Sequence, residues 1–293
     1  MKIQSLSIVV PNKTCVNSCK FCVSCMTEKT YENMLHRDNL YWDLYERDYA
    51  NRLNFARDNG CNTVMLTGTS EPQQNREFLR MFGTMNRNSS LVQNPFRVIE
   101  MQTTGIMLDD AYLYFLRHHV GVSTISLSLS SFDNDQNKEN NGTPERWKVD
   151  LKYLCSRINI SRFNLRISIN LTNSFDSWEV RDIFNYCKEE LNANQVTFRV
   201  LYESGLDTVV DNWISKNRAK DDLIEKIQQY VVCNGKALEK LEFGMIKYSV
   251  NEMGVVIDSD CMSKELKGNY KYLILREDCK LYSKWDDKGS LIF

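Results

Sequence analysis

The alternation of apolar and amphipathic segments constrains this 293-residue chain more strongly than any other feature of its sequence. Six short segments rich in Val, Ile, Leu and Phe have the composition of buried parallel strands. These segments are residues 5–11, 63–66, 96–102, 124–129, 164–171 and 195–202. Helical patterns stand between them at residues 39–59, 77–86, 109–118, 146–157 and 178–191. The alternation predicts an α/β fold, a partial parallel (β/α)6 barrel whose functional residues lie at the carboxyl ends of the strands.

The final third of the chain departs from this alternation. Residues 211–241 are predicted to be largely helical, and four short strand patterns follow them. The strand patterns are residues 245–250, 254–257, 272–276 and 280–283. We therefore predict a barrel domain of residues 1–204 and a C-terminal α+β appendage of residues 205–293, which would cap the substrate side.

A long polar segment, residues 131–144, follows the fourth predicted strand. It is rich in Asn, Asp and Ser, which are residues that favour turns. Long connections of this kind in β/α folds frequently carry function. We predict a loop on the functional face, and a solvated insertion is the open alternative.

Charge and apolar patterning limit the partners that the chain can have. The net charge is −1, so no positive field attracts a large nucleic acid. The sequence contains no run of about 18 apolar residues, so it predicts no membrane span. Its N-terminal apolar stretch is too short for a signal peptide. We predict a cytoplasmic protein with no membrane partner. In a reducing cytoplasm, scattered cysteines are usually small buried hydrophobes, and this is predicted for Cys61, Cys155, Cys187 and Cys233.

Three cysteines follow the first predicted strand within one short loop. Cys15, Cys19 and Cys22 have the spacing C-x3-C-x2-C, and Phe21 stands directly before the last of them. The neighbouring Asn, Ser and Thr residues favour turns, which argues against a buried helical stripe of cysteines. Three thiolates can hold three irons of a [4Fe–4S] cube and leave the fourth iron without a protein ligand.

Two alternatives for these cysteines stay open at this point. Cys25 could serve as a fourth ligand, which would make the loop an electron-transfer iron–sulfur module or a structural zinc module. Cys261 and Cys279 could contribute to a second cluster in the tail, although their wide spacing is a weak signal.

The cysteine loop resembles that of the radical S-adenosylmethionine (SAM) superfamily, in which an aromatic residue usually precedes the last cysteine. Residues 65–72, Met-Leu-Thr-Gly-Thr-Ser-Glu-Pro, resemble the Gly-Gly-Glu-Pro segment of that family. The resemblance implies that Gly68, Thr69, Ser70 and Glu71 hold the amino group of SAM. Ser70 departs from the pattern, because it stands where the second glycine is usual.

Weaker matches follow in the order that the family predicts. Residues 100–105 resemble its Thr-Asn-Gly ending, and residues 126–131 resemble its ribose-binding segment. The resemblance implies ribose or carboxylate contacts from Ser128, Ser130 and Asn170, and adenine contacts from Leu201 and Phe21. It extends over roughly residues 1–204 and does not cover the tail.

Two arginines of the later strands could serve either binding or structure. Arg166 and Arg199 could meet a carboxylate or a phosphate, because a guanidinium fork suits both. A structural salt bridge is the alternative for either residue, and it is the one that we favour.

The resemblance also implies a reaction and its cofactors. A reduced [4Fe–4S] cluster would cleave SAM, and the resulting 5′-deoxyadenosyl radical would take a hydrogen atom from the substrate. The enzyme would be oxygen-sensitive and would need an electron donor such as flavodoxin or ferredoxin. For the substrate we favour a small molecule, for example a nucleotide derivative, over a peptide or protein. The sequence identifies no catalytic residue.

Overall fold

A computed structural model of the chain describes residues 1–26, 42–241, 243–258, 264–285 and 287–293. The strands in these residues are β1 (Lys2–Val9), β2 (Thr63–Thr67), β3 (Val98–Thr103), β4 (Thr124–Leu129), β5 (Asn164–Asn170), β6 (Gln195–Arg199), β7 (Lys236–Lys240), β8 (Ile246–Val250), β9 (Met253–Asp258), β10 (Glu265–Leu266), β11 (Asn269–Leu275) and β12 (Leu281–Tyr282). They form one sheet in the order β10-β11-β1-β2-β3-β4-β5-β6-β9-β8-β7, and β12 pairs with β11. All neighbouring strands from β11 to β9 in this order are parallel, which confirms the predicted α/β fold with a partial barrel.

Helices connect the parallel strands. They are α1 (Glu46–Asp58), α2 (Arg76–Arg87), α3 (Asp110–Phe115), α4 (Asn134–Asn140), α5 (Leu151–Ile160), α6 (Val180–Asn185), α7 (Val209–Asn217) and α8 (Asp221–Asn234). Side chains that accept hydrogen bonds from backbone N–H groups start α2, α3, α4 and α5, namely Asn75, Asp109, Asp133 and Asp150. These caps satisfy N–H groups that have no partner within the helix, and they explain why the helices begin at these residues.

The two faces of the central strands differ in polarity. On β5, Leu165, Ile167 and Ile169 are fully buried in the apolar core that the helices cover. The residues between them, Arg166 and Ser168, project to the opposite face because side chains alternate along a strand. That opposite face is the lumen of the barrel.

The strands of the tail extend the sheet at both edges. β11 pairs with β1, and β9 pairs with β6. Lys271 on β11 and Asp258 on β9 then form a salt bridge of 3.1 Å, which joins the two edges of the parallel region. The division into a barrel and a substrate-side cap stays a prediction, and strands from residues 205–293 are hydrogen-bonded into the same sheet as β1–β6.

Two predictions for the tail region are wrong in part. The helix predicted for residues 211–241 ends at Asn234, because Gly235 adopts an extended conformation and the chain continues as the exposed strand β7. Cys233 on α8 is exposed rather than buried, whereas the other three scattered cysteines are buried as predicted. Cys261 lies outside the described residues, so a second cluster stays an open alternative.

No helix among the described residues combines the length and the apolar character that crossing a membrane requires.

Candidate functional site

The cysteine loop leaves the carboxyl end of β1 and is held against the segment that follows β2. Gln74 accepts a hydrogen bond from the backbone N–H of Val16 at 2.8 Å and donates one to the carbonyl of Thr14 at 2.9 Å. Asn75 donates to the carbonyl of Pro11 at 2.7 Å. The residues that directly follow the predicted SAM segment therefore fix the path of the cysteine loop.

Glu71 is the centre of a buried polar network at this end of the sheet. Its carboxylate accepts hydrogen bonds from the hydroxyl of Thr103 at 2.6 Å and from the backbone N–H and hydroxyl of Thr104 at 3.0 and 2.9 Å. Asn17 of the cysteine loop donates to the Thr104 hydroxyl at 2.9 Å and accepts from Thr143 at 3.0 Å. Burial raises the pKa of Glu71, and these hydrogen bonds oppose the shift.

The polar segment 131–144 packs on the cysteine loop. The backbone N–H groups of Ser18 and Lys20 donate to the carbonyls of Asn141 and Asn140 at 3.2 and 2.9 Å. Gly142 is required here, because its φ is +54° and a Cβ atom would lie 2.3 Å from the carbonyl oxygen of Ser18. The segment lies at the carboxyl end of the sheet as predicted, but the prediction of a loop is wrong in part, because residues Asn134–Asn140 form the helix α4. A functional role of this segment stays a prediction.

The electrostatics of the three thiols favour a cationic partner. Burial raises the pKa of Cys19, and the neighbouring Cys22 and Cys15 raise it further. Partial desolvation of the sulfur also raises the pKa of Cys15, although the residue as a whole is exposed. A hydrogen bond with the Cys25 side chain lowers the pKa of Cys22 to about 6. Three thiolates in this loop need positive charge beside them, and iron ions would supply it, so this donor set fits an iron–sulfur cluster.

Cys25 remains close to the three cysteines. Its backbone N–H donates to the carbonyl of Cys22 at 3.0 Å. Among the described residues, no three His, Cys, Asp or Glu side chains already form a site for a single metal ion. The choice between a three-cysteine cluster and a module with Cys25 as fourth ligand therefore stays open.

The two predicted adenine contacts lie in one apolar cluster beside the cysteine loop. Leu201 is buried there, and Phe21 packs against the cluster. Trp213 on α7 lies 5.9 Å from the Phe21 ring, between centroids. The structure thus brings Phe21 and Leu201 together, and their contact with adenine stays a prediction.

Of the three predicted ribose or carboxylate contacts, two face the lumen and the third is buried. Asn170 donates a hydrogen bond to the hydroxyl of Ser128 at 2.9 Å, and both side chains face the lumen. Ser130 is fully buried, and Asn137 accepts hydrogen bonds from both its backbone N–H and its hydroxyl at 2.8 and 3.1 Å. Their contacts with SAM stay predictions.

The sequence analysis missed Glu277, a buried carboxyl at the same end of the sheet. It follows β11, and Thr69 of the predicted SAM segment donates to it over a long 3.5 Å. Burial raises the pKa of Glu277 to about 7. No local pattern marks this residue, because its burial depends on the pairing of β11 with β1.

We call Glu100, Gln102, Arg166 and Gln195 the lower lumen and Ser128, Asn170 and Arg199 the upper lumen.

In the lower lumen the charges are paired. Arg166 donates to Glu100, which is buried and also accepts from Gln102 at 3.1 Å. Arg166 donates further to Gln195 at 2.9 and 2.6 Å. The structural salt bridge that we favoured for Arg166 is confirmed.

Comparison with solved structures shows a shared fold. Models of protein families give no match, and neither do curated protein sequences. Streptococcus suis SuiB bound to S-adenosylmethionine matches with a TM-score of 0.58 at 15% identity over 96% of this chain and 60% of SuiB. The structure of anSMEcpe with bound AdoMet and Cp18Cys peptide matches with a TM-score of 0.58 at 13% identity over 96% of this chain and 74% of that one.

A third match is coproporphyrinogen III oxidase (HemN) from Escherichia coli, described as a radical SAM enzyme. Its TM-score is 0.53 at 14% identity, over 80% of this chain and 54% of HemN. The chain spans less than two thirds of SuiB and HemN. The chain shares its fold with these three proteins, one of which is described as a radical SAM enzyme.

Proposed function

We propose that this protein is a radical SAM enzyme that binds a [4Fe–4S] cluster through Cys15, Cys19 and Cys22. The observation that carries the proposal is the position of these thiols. They lie at the carboxyl end of a parallel β/α sheet, on a loop that Glu71 and its partners hold in place. A shared fold does not establish an activity, so the chemistry of the loop is the main argument.

Each part of the site has a task in this proposal. The cysteine loop binds three irons, and Gly68–Glu71 orients the amino group of SAM. When bound, the reduced cluster would supply the electron that breaks the sulfonium carbon–sulfur bond, and hydrogen abstraction from the substrate would then give 5′-deoxyadenosine. Phe21 and Leu201 exclude water beside the adenine, which protects a reactive species from quenching.

The substrate that we favour is a small molecule, and a peptide is the second candidate. HemN is named as an oxidase of coproporphyrinogen III, whereas anSMEcpe was solved with a peptide. The peptide candidate is supported by the more extensive match, since anSMEcpe aligns with 96% of this chain. A flavodoxin or ferredoxin is the proposed electron donor.

Anaerobic reconstitution tests this function directly. With iron and sulfide we expect a brown protein that binds about four irons and that, with dithionite and SAM, releases 5′-deoxyadenosine. A colourless chain, or one that binds only zinc, would contradict the proposal.

Two cysteine variants separate this function from the four-cysteine module. We expect Cys22→Ala to lose the iron, and Cys25→Ala to keep both the iron and SAM cleavage. Loss of the cluster in Cys25→Ala would support the four-cysteine alternative. Cys233→Ala is the matched control, because this exposed thiol on α8 belongs to none of the proposed ligands.

A further inference from the structure

Arg199 lies at the carboxyl end of β6 and projects into the lumen. Val196 and Phe198 on the same strand are fully buried in the outer core, so the alternation of side chains places Arg199 on the inner face. Its register partner on β5 is Asn170, whose side chain reaches Ser128 across the lumen face. Arg199 therefore belongs to the upper lumen, next to the predicted SAM contacts.

One N–H donor of the Arg199 guanidinium is not satisfied by the described part of the protein. Its Nε atom is buried and makes no hydrogen bond there. Arg166 on the neighbouring strand, by contrast, is bonded to Glu100 and to Gln195. A buried donor without a partner costs stability, and native proteins keep such donors mainly where something else binds them.

Arg199 forms no salt bridge with a carboxylate of the described residues. Its register partner on β9 is Asp258. That carboxylate already forms a salt bridge with Lys271, and both side chains are largely buried. Among the described residues, Arg199 and Lys271 thus lie beside one carboxylate, Asp258, which Lys271 already pairs with, and this arrangement favours the entry of an anion.

We infer that Arg199 binds an anionic oxygen group of the substrate, either a carboxylate or a phosphate. A guanidinium presents two parallel N–H donors to such groups and discriminates against neutral ligands. The segment predicted to hold the amino group of SAM follows β2, and three strands separate β2 from β6. The methionine carboxylate of SAM is the competing occupant, because Asn170, a predicted SAM contact, is the register partner of Arg199, and SAM binding tests it. Only the assignment of the anion to the substrate rests on the proposed function.

The anion site is tested on the full chain with two simple probes, acetate and inorganic phosphate, at constant ionic strength. We expect each effective probe to raise the unfolding temperature of the wild type and of Arg181→Gln, but not of Arg199→Gln. Arg181 is the matched control, because its side chain is 73% exposed on α6. Stabilisation by acetate alone identifies a carboxylate site, and stabilisation by phosphate alone identifies a phosphate site.

Two results would overturn the anion site. One is an equal shift in all three proteins, which indicates non-specific anion binding. The other is no shift of the wild type with either probe. Without any probe, Arg199→Gln should unfold at the same temperature as the wild type or at a higher one, because it removes an unsatisfied cation. A clear decrease would assign Arg199 a structural role and contradict the inference.

Binding of SAM to the reconstituted protein distinguishes the two sources of the anion. We expect the dissociation constant of SAM to be the same in Arg199→Gln and in the wild type. A loss of roughly 10-fold or more would assign Arg199 to the methionine carboxylate and overturn its assignment to the substrate. A protein that binds no cluster but still shows Arg199-dependent anion binding would refute the proposed function and leave the anion site in place.

Discussion

The lower and the upper lumen each contain one arginine and at least one amide side chain. In the lower lumen the arginine is hydrogen-bonded to its neighbours, whereas in the upper lumen one donor of the arginine has no partner among the described residues. Arg166 has a carboxylate and an amide as partners, whereas Arg199, one strand away, has a buried Nε without a hydrogen bond in the described residues. The lower lumen therefore acts as a structural floor. The upper lumen keeps donors available for a ligand, and changes there should affect binding more than stability.

The largest expected change in stability comes from a substitution in the lower lumen. Arg166→Met leaves Glu100 buried without its charge partner, and we expect a loss of roughly 3–5 kcal/mol in the free energy of unfolding. Urea denaturation measures this change. Arg199→Met is the matched control in the upper lumen and should change stability little. Equal losses in the two variants would remove the distinction between the two regions.

The second largest expected effect is a pH dependence of the free energy of unfolding that comes from Glu277. Its pKa is raised from 4.5 to about 7 in the folded protein, mainly by burial, while Arg276 lowers it and Asp278 raises it. The folded state then binds more protons than the unfolded state between these two values, so stability decreases as the pH rises through this window.

Glu277→Gln should remove this pH dependence. Between pH 4 and pH 8, we expect the free energy of unfolding of the variant, relative to that of the wild type, to rise by as much as about 3 kcal/mol. Urea unfolding at each pH measures this difference. Stability profiles that run parallel for the two proteins would show that Glu277 has an ordinary pKa. Glu139→Gln is a control, because this carboxyl is exposed and pairs with Lys20 at the surface.

A smaller effect is expected at the junction between the cysteine loop and Glu71. Asn17→Ala removes two hydrogen bonds, to Thr104 and from Thr143, at a cost of about 1–2 kcal/mol. Because Asn17 holds the loop, the variant should also release iron faster after reconstitution. Asn159→Ala, which loses a hydrogen bond to the Leu191 carbonyl far from the loop, should lose stability without releasing iron faster.

The smallest change in stability is expected for an ion pair on the outer surface. This pair is the reference for the changes in both lumen regions. Arg157 on α5 pairs with Asp110 on α3 in contact with solvent. We expect no measurable change in the urea midpoint for Arg157→Gln, because water and salt screen such pairs. A loss as large as that of Arg166→Met would mean that burial does not set the strength of these pairs.

Local patterns were sufficient to predict the parallel core. The fourth strand was predicted at residues 124–129, which are its observed bounds, because a buried parallel strand is a continuous apolar run. The position of the cysteine loop followed from the same rule, since residues after a parallel strand lie at the carboxyl edge of the sheet. The distinction between Arg166 and Arg199 did not follow, because it depends on which partners the neighbouring strands supply.

The tail shows the limit of such patterns. The strands β8, β9, β11 and β12 were predicted at nearly the right residues, whereas β7 was predicted as helix and β10 was not predicted. Periodicity also does not state which strands pair. The pairing of β11 with β1 and of β9 with β6 joins segments that are distant along the chain. Glu277 could not be recognised as a buried carboxyl without that pairing.

The pairing of β11 with β1 also sets an order of events during synthesis. Contacts between the two strands join residues that are far apart in the chain, such as the hydrogen bond from the Ser5 hydroxyl to the carbonyl of Lys271, which spans 266 residues. When the ribosome has made the barrel strands, one edge of β1 still lacks its partner, and an open strand edge recruits other chains. Completion of the fold therefore waits for residues 269–275. A chain that stops before them should aggregate, even though it contains the whole cysteine loop and all six β/α units.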